Sequence, residues 1–128
     1  MTSDAPLQGR RILVVEDEMM IAMLVEDMLS ELGCVVVGPA HAVTTALELA
    51  SGEPEIDAAL LDINLGGQPV FDIADALRGR GVPTIFSTGY GESGLREIDK
   101  GAPVLQKPFR SNDLEAALKT ALKIDAEG

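Results

Sequence analysis

The run Ala58-Ala59-Leu60-Leu61-Asp62-Ile63-Asn64-Leu65-Gly66-Gly67 decides how this chain folds. Four small or aliphatic residues lead into an aspartate, and two glycines open a loop just beyond it. An apolar run bounded in this way reads as a buried strand, over residues 57–62, that stops at the glycines. Asp62 then stands at the lip of a sheet, half in the core and half in water. That placement suits a reactive carboxylate better than a solubilising one.

Working outward, the same kind of run recurs on both sides. Ile12-Leu13-Val14-Val15 reads as a first buried strand and ends in Glu16-Asp17-Glu18. Cys34-Val35-Val36-Val37 reads as a second, closed by Gly38-Pro39. Thr84-Ile85-Phe86-Ser87 is the fourth and leads into Thr88-Gly89-Tyr90-Gly91. Pro103-Val104-Leu105-Gln106 is a brief fifth, followed by Lys107-Pro108-Phe109.

Helical spacing fills the gaps. Ile21, Leu24, Val25, Met28 and Leu32 draw one apolar stripe over about residues 18–32, with Gly33 as the stop. Met19, Met20 and Met23 read as core or edge packing. A second helix is expected over 41–51. A third is expected to open with Pro69 in its first turn and run to Arg80, with Ile73, Ala74 and Leu77 inward. The glycine-rich segment 89–102 leaves room only for a short fourth helix, about 93–99. The last helix begins at Ser111 or Asn112, where Asn112 and Glu115 have capping-box spacing, and runs to about Ile124.

Five alternations of strand and helix predict an α/β fold: a parallel sheet with helices on both faces, joined by right-handed crossovers. The expected layout is a flexible arm over 1–9, one domain over 10–124 and a tail over 125–128, with no second domain.

Bulk composition narrows the function. The chain has 128 residues, 46% of them hydrophobic but only 3% aromatic, so the core is aliphatic. A net charge of −11 argues against direct binding to nucleic acid or to an anionic membrane. It is compatible with basic partners or with a need for cations. Cys34 is the single cysteine and reads as a small core residue. His41 is the single histidine; with no second ligand in view it reads as a surface residue. No signal peptide is visible, and no apolar run approaches the ~18 residues of a membrane span. A cytoplasmic protein is expected.

In sheets of this kind functional groups collect at the carboxyl ends of the strands. Those ends carry Glu16 and Asp17, Asp62, Thr88 and Lys107. Crowded carboxylates repel unless something neutralises them, and a hard cation such as Mg²⁺ takes oxygen ligands readily. The Asn64 backbone carbonyl is a further candidate ligand. The set suits phosphoryl transfer to a carboxylate, with Asp62 attacking phosphorus while the metal and Lys107 neutralise the phosphoryl oxygens.

The chain resembles a response-regulator receiver domain of two-component signalling over about residues 10–124. The resemblance rests on Val14-Val15-Glu16-Asp17-Glu18, Leu61-Asp62-Ile63-Asn64, Thr88 and Lys107-Pro108-Phe109. Each motif is weak alone; in order, with the right element between each pair, they are specific. The resemblance implies a flavodoxin-like five-stranded sheet of order 2-1-3-4-5. It implies that Asp62 accepts phosphate from a histidine kinase or a histidine phosphotransfer protein. It also implies that Glu16, Asp17, Asp62 and the Asn64 carbonyl hold Mg²⁺ or Mn²⁺, and that Thr88 and Lys107 contact the phosphoryl group. The Lys107-Pro108 bond is expected to be cis.

Two departures stand out. The aromatic switch that many such domains carry in strand five is replaced by Val104. Pro83-Thr84-Ile85-Phe86-Ser87-Thr88-Gly89-Tyr90 is similar to a Phe-Ala-Thr-Gly-Tyr subgroup that includes single-domain regulators of alphaproteobacteria, where Gly89 and Tyr90 belong to the switch loop. Phosphorylation would then rearrange segment 89–103 most. The expected protein is a phosphoryl acceptor able to lose its own phosphate, not a turnover enzyme. It acts through a protein target or a phosphorelay, without nucleic acid or membrane. Two alternatives compete. An aspartyl-nucleophile phosphatase or phosphotransferase would want an acid two residues past Asp62, where Asn64 stands. An interaction module independent of phosphorylation would not need so complete a site.

Overall fold

The structure is a computed structural model that describes residues 7–65, 68–89 and 97–124. Five parallel strands form its sheet: β1 Arg11–Val15, β2 Val35–Ala40, β3 Ala58–Asp62, β4 Thr84–Thr88 and β5 Val104–Gln106, in the order β2-β1-β3-β4-β5. This is the 2-1-3-4-5 order of a flavodoxin-like receiver. β3 lies at the centre and every one of its residues is buried. That explains its unbroken apolar sequence, because a central parallel strand is covered on both faces.

The pleat divides the strands between two cores. Leu13, Val15, Ala59, Leu61 and Phe86 face one side, where they pack with Ile73, Ala74 and Leu77 of α3 (Phe71–Gly79) and Ala46 and Ala50 of α2 (Val43–Gly52). Ile12, Val14, Ala58, Leu60 and Ile85 face the other, where they meet Val25 and Leu29 of α1 (Met19–Glu31) and Leu114, Ala117 and Leu118 of α4 (Ser111–Ala121). Alternation by one residue thus sends neighbours in each strand to opposite helical layers.

The structure corrects the sequence reading in five places. In α1 the buried positions are Ala22, Val25 and Leu29, so the inner stripe is turned away from Leu24, which is 56% exposed. The same turn leaves Met19, Met20 and Met23 exposed rather than packed in the core or at its edge. β2 does not stop at Val37. It runs on to Ala40 through a bulge opposite β1, with Gly38 at φ +93°. A Cβ on Gly38 would lie 2.8 Å from the Ala40 nitrogen, so only glycine fits without strain.

Pro69 does not open a helix. It pairs with Asn64 in a two-stranded antiparallel ribbon of Asn64–Leu65 and Gln68–Pro69, and α3 starts at Phe71. At α4 the cap lies two residues before Asn112. The Arg110 N–H donates to the Asp113 carboxylate at 3.0 Å, because that side chain is the one that reaches back three positions. Finally, the expected arm does not extend through residues 7–9. Leu7 is buried in the core beside α1 and α4, and the Gly9 N–H donates to the Gly33 carbonyl at 2.8 Å.

Where a short fourth helix is expected, a single 3-10 turn spans Glu97–Asp99; residues 90–96, Tyr90 included, lie outside the described residues. No helix among the described residues is long and apolar enough to cross a membrane.

Candidate functional site

The carboxyl ends of β1, β3, β4 and β5 meet at one rim, and each delivers a polar side chain. Glu16 follows β1 directly and is 3% exposed. It is buried because the strand ladder continues one bond past Val15: the Glu16 N–H donates to the Ala40 carbonyl at 2.9 Å, a bond the β2 bulge makes available. Its carboxylate accepts from the Glu18 N–H at 3.1 Å. Asp17 is half-buried beside it. Asp62 closes β3 and is 7% exposed.

Lys107 lies one residue past β5. Its backbone N–H donates to the Thr88 carbonyl at 2.8 Å, which ties it to the end of β4. The Lys107–Pro108 peptide bond is cis, as is Gly38–Pro39. From this anchor the lysine reaches across the rim. Its Nζ is 2.8 Å from Glu16 Oε1 and 3.3 Å from Asp62 Oδ2. Thr88 ends β4 and is buried.

Glu16, Asp17 and Asp62 each place a carboxylate oxygen within 4.8 Å of the others. The cost of burying a carboxylate here shows in the pKa of Glu16. Burial pushes its pKa up from 4.5 to about 7, the Lys107 and Glu18 hydrogen bonds oppose the rise, and the Asp62 charge adds to it. For Lys107, burial works against the charged form, but the hydrogen bond to Glu16 and the two carboxylate charges outweigh it, so its pKa is raised.

These residues fit a hard divalent cation. The donors are all oxygens, they converge, and they carry more negative charge than the shared lysine neutralises. That is the chemistry of Mg²⁺ or Mn²⁺ rather than of a thiolate-seeking metal.

The structure therefore brings together Glu16, Asp17, Asp62 and Lys107, and places Thr88 on the adjoining strand end. Asn64 lies in the ribbon just past Asp62. Gly89 is an exposed bend after β4. The switch assignment of Tyr90 falls outside the described residues. Val104, where an aromatic is missing, packs half-buried against the core shared by α2 and α3.

One residue that the sequence reading set aside joins the rim. His41 Nδ1 lies 2.9 Å from the Glu16 carbonyl oxygen. The available signal was positional: His41 directly follows β2, at the same carboxyl end as the acids. An apolar groove of about 350 Å³ also borders the rim, lined among others by Glu18, Ile21, Leu24, Met28, Lys107 and Phe109.

Comparison with known proteins accords with this geometry. The family model for the response regulator receiver domain matches residues 12–119. The phyllosphere-induced regulator PhyR of Methylorubrum extorquens is 36% identical over 114 residues, covering 87% of this chain and 43% of PhyR. The transcriptional regulatory protein PdtaR of Mycobacterium tuberculosis is 32% identical, covering 88% of this chain and 57% of PdtaR. The chain thus spans about half the length of the curated relatives it matches.

Among solved structures, SdrG from Sphingomonas melonis Fr1 superposes with a TM-score of 0.79 at 40% identity, covering 90% of this chain and 97% of SdrG. SdrG has also been solved in a BeF3-activated conformation. The receiver domain of the sensor histidine kinase PA1611 from Pseudomonas aeruginosa PAO1, which holds a magnesium ion in its active-site cleft, superposes with a TM-score of 0.75 at 27% identity, covering 90% and 98%. The chain belongs to the response regulator receiver domain family.

Proposed function

We propose that this chain is a response-regulator receiver that takes a phosphoryl group onto Asp62. The observation that carries the reading is the acidic rim: three carboxylates converge within 4.8 Å, and Lys107 contacts two of them. In the step, an Asp62 carboxylate oxygen attacks phosphorus. The phosphorus–nitrogen bond of a phosphohistidine donor breaks, and the imidazole leaves with its electron pair and takes up a proton. The product is an acyl phosphate on Asp62.

Glu16, Asp17, Asp62 and the Asn64 carbonyl are the groups that would hold Mg²⁺, which when bound supplies positive charge to the phosphoryl oxygens. Lys107 supplies fixed charge on the same oxygens. Thr88 offers its hydroxyl to the new anion, and a shift of Thr88 carries Gly89 and Tyr90 with it. The new group brings up to about two negative charges to the rim.

The donor is a histidine kinase or a histidine phosphotransfer protein of the cytoplasm. The output is a contact with another protein or onward transfer, and the phosphoryl group is eventually lost to water. The likeness to SdrG, together with Phe86-Ser87-Thr88-Gly89-Tyr90, supports placement in the Phe-Ala-Thr-Gly-Tyr subgroup. Exposed Leu24 lines the rim groove, and the same helix also exposes Met19, Met20 and Met23; exposed apolar side chains of this kind suit a protein partner.

Intact mass after incubation with acetyl phosphate and Mg²⁺ tests the reading. One phosphoryl adduct is expected, absent in Asp62→Asn and absent without metal. An unmodified wild-type protein under all conditions would leave the rim as a binding surface only.

A further inference from the structure

The acids at the rim are held by more than their own strands. Glu16 ends the β1 ladder, and its peptide group is fixed from both sides by the β2 end. Its N–H donates to the Ala40 carbonyl at 2.9 Å, and its carbonyl lies 2.9 Å from His41 Nδ1. Since a carbonyl only accepts, Nδ1 carries the proton in that contact. The imidazole takes the place that a backbone N–H would fill if the two strands continued. They do not continue, because the chain turns into α2, with Ala42 at its cap.

The carbonyl held in this way belongs to the peptide that joins Glu16 to Asp17. Orienting that peptide plane sets the direction in which Asp17 leaves the strand, while the Glu16 side chain stays buried against Lys107. His41 itself is exposed and touches the rim through this backbone contact. Fixing a ligand by a hydrogen bond to a group behind it is a general way to tune a metal site.

We propose that His41 is a positioning residue: its Nδ1–H holds the Glu16–Asp17 peptide so that both carboxylates face the cation pocket with Asp62. This rests on the phosphoacceptor reading above, but its geometry can be tested without phosphate. Because the contact needs a donor rather than a ring, Asn is the conservative replacement; its side-chain amide nitrogen sits at the branch point that Nδ1 occupies.

Calorimetric titration of the full chain with MgCl₂, for wild type, His41→Ala and His41→Asn, reads the effect. Loss of the donor should weaken Mg²⁺ binding by about tenfold, the lower end for groups that orient metal ligands, and His41→Asn should restore most of it. Amide hydrogen exchange in the metal-free protein supplies the second readout. Glu16, Asp17 and Glu18 should exchange faster in His41→Ala and at the wild-type rate in His41→Asn, with the urea midpoint unchanged in both. Equal Mg²⁺ affinity in wild type and His41→Ala overturns the proposal while leaving the phosphoacceptor reading intact. So does an His41→Asn variant as weak as His41→Ala, or a loss that follows a general fall in metal-free stability. A wild-type chain that takes up no Mg²⁺ overturns the phosphoacceptor reading, and this proposal with it.

Discussion

The two ends of the sheet handle charge in opposite ways. At the amino ends of the strands, acids meet arginines: Glu53 with Arg11 at 3.0 Å, Asp57 with Arg10 at 3.9 Å, and buried Asp99 with Arg78. Arg80 adds to this rim by donating to the carbonyls of Ala50, Glu53 and Pro54 at the end of α2. A larger hollow, of about 650 Å³, opens there between Arg78, Asp99 and Lys123, yet its acids are already answered. At the carboxyl ends, Glu16 and Asp62 share one lysine, and Asp17 crowds beside them. The lesson is that depth of hollow does not locate chemistry. A rim of matched ion pairs holds the fold; a rim with surplus negative charge offers the converging oxygen donors that a hard cation takes.

The contrast is sharpest at Lys107, and the largest effect is expected there. Lys107→Met keeps the aliphatic stem and removes the charge. Phosphoryl adduct formation from acetyl phosphate should fall by about a hundredfold or more, the scale for losing a charged group aimed at developing negative charge. Removing an arginine from the opposite rim should leave that rate unchanged. Time courses of intact mass at saturating Mg²⁺ compare the two directly. An equal loss at both rims would erase the distinction and make the effect one of stability.

Glu16 gives the next largest effect, and it is one of pH. Its folded pKa of about 7 lies above the unfolded value of 4.5, so between those values the folded state binds more protons than the unfolded. Stability from this group is therefore greatest in acid and is lost as pH rises through about 7. Lys107 does not blur the window. Its raised pKa adds stability below 10.5 that is lost only at higher pH. Glu16→Gln removes the titration while an amide oxygen still accepts from Lys107. In EDTA at pH 8 the variant should be more stable than wild type by about 2 kcal/mol, and near pH 5 the two should converge. Urea unfolding midpoints at the two pH values check this; parallel curves would show that burial does not load this carboxylate. Adding Mg²⁺ should reverse the order, because the glutamine has lost the charge that favours the cation.

How much of this contrast could be read from the chain follows from the physics of each end. Asp62, Glu16, Asp17, Thr88 and Lys107 were legible because each stands at or just past the end of a strand-like run, and parallel strands bring such ends together. The fold was legible for the same reason. β1 and β3 are covered on both faces and announce themselves as unbroken runs of small and aliphatic residues, while β4 shows itself through Ile85 and Phe86 between hydroxyl residues. The bulge at Gly38 was not legible, since a glycine before a proline more often stops a strand than carries it on. His41 was missed because its contact is with a backbone carbonyl, which leaves no mark in side-chain spacing. The inner face of α1 was turned away from its true position because Met and Leu occur on both sides of that helix. The arginine pairs of the opposite rim were invisible for a further reason: Arg78 and Asp99 are 21 positions apart and meet only through the fold.

The smallest effect belongs to that opposite rim and tests whether its pairs are of one kind. Arg10 and Asp57 lie 3.9 Å apart with both side chains 38% exposed. At that exposure water and salt screen the pair, so Arg10→Ala should cost no more than about 0.5 kcal/mol. Asp57 has a second duty. Its other oxygen accepts the Arg11 backbone N–H at 2.8 Å, at the first residue of β1. That bond is directional and ends a strand, so Asp57→Ala should cost about 1 kcal/mol, twice the loss from Arg10 or more. Urea unfolding of the two variants at low and high salt separates the contributions. The Arg10 effect should shrink as salt rises, whereas most of the Asp57 effect should persist, because a short bond to a backbone N–H depends less on screening than a long ion pair does. If the two variants lost the same stability with the same salt dependence, the acid would be holding the arginine rather than the strand. This end of the sheet would then be stabilised by charge alone, and the difference between the two rims would be one of balance rather than of kind.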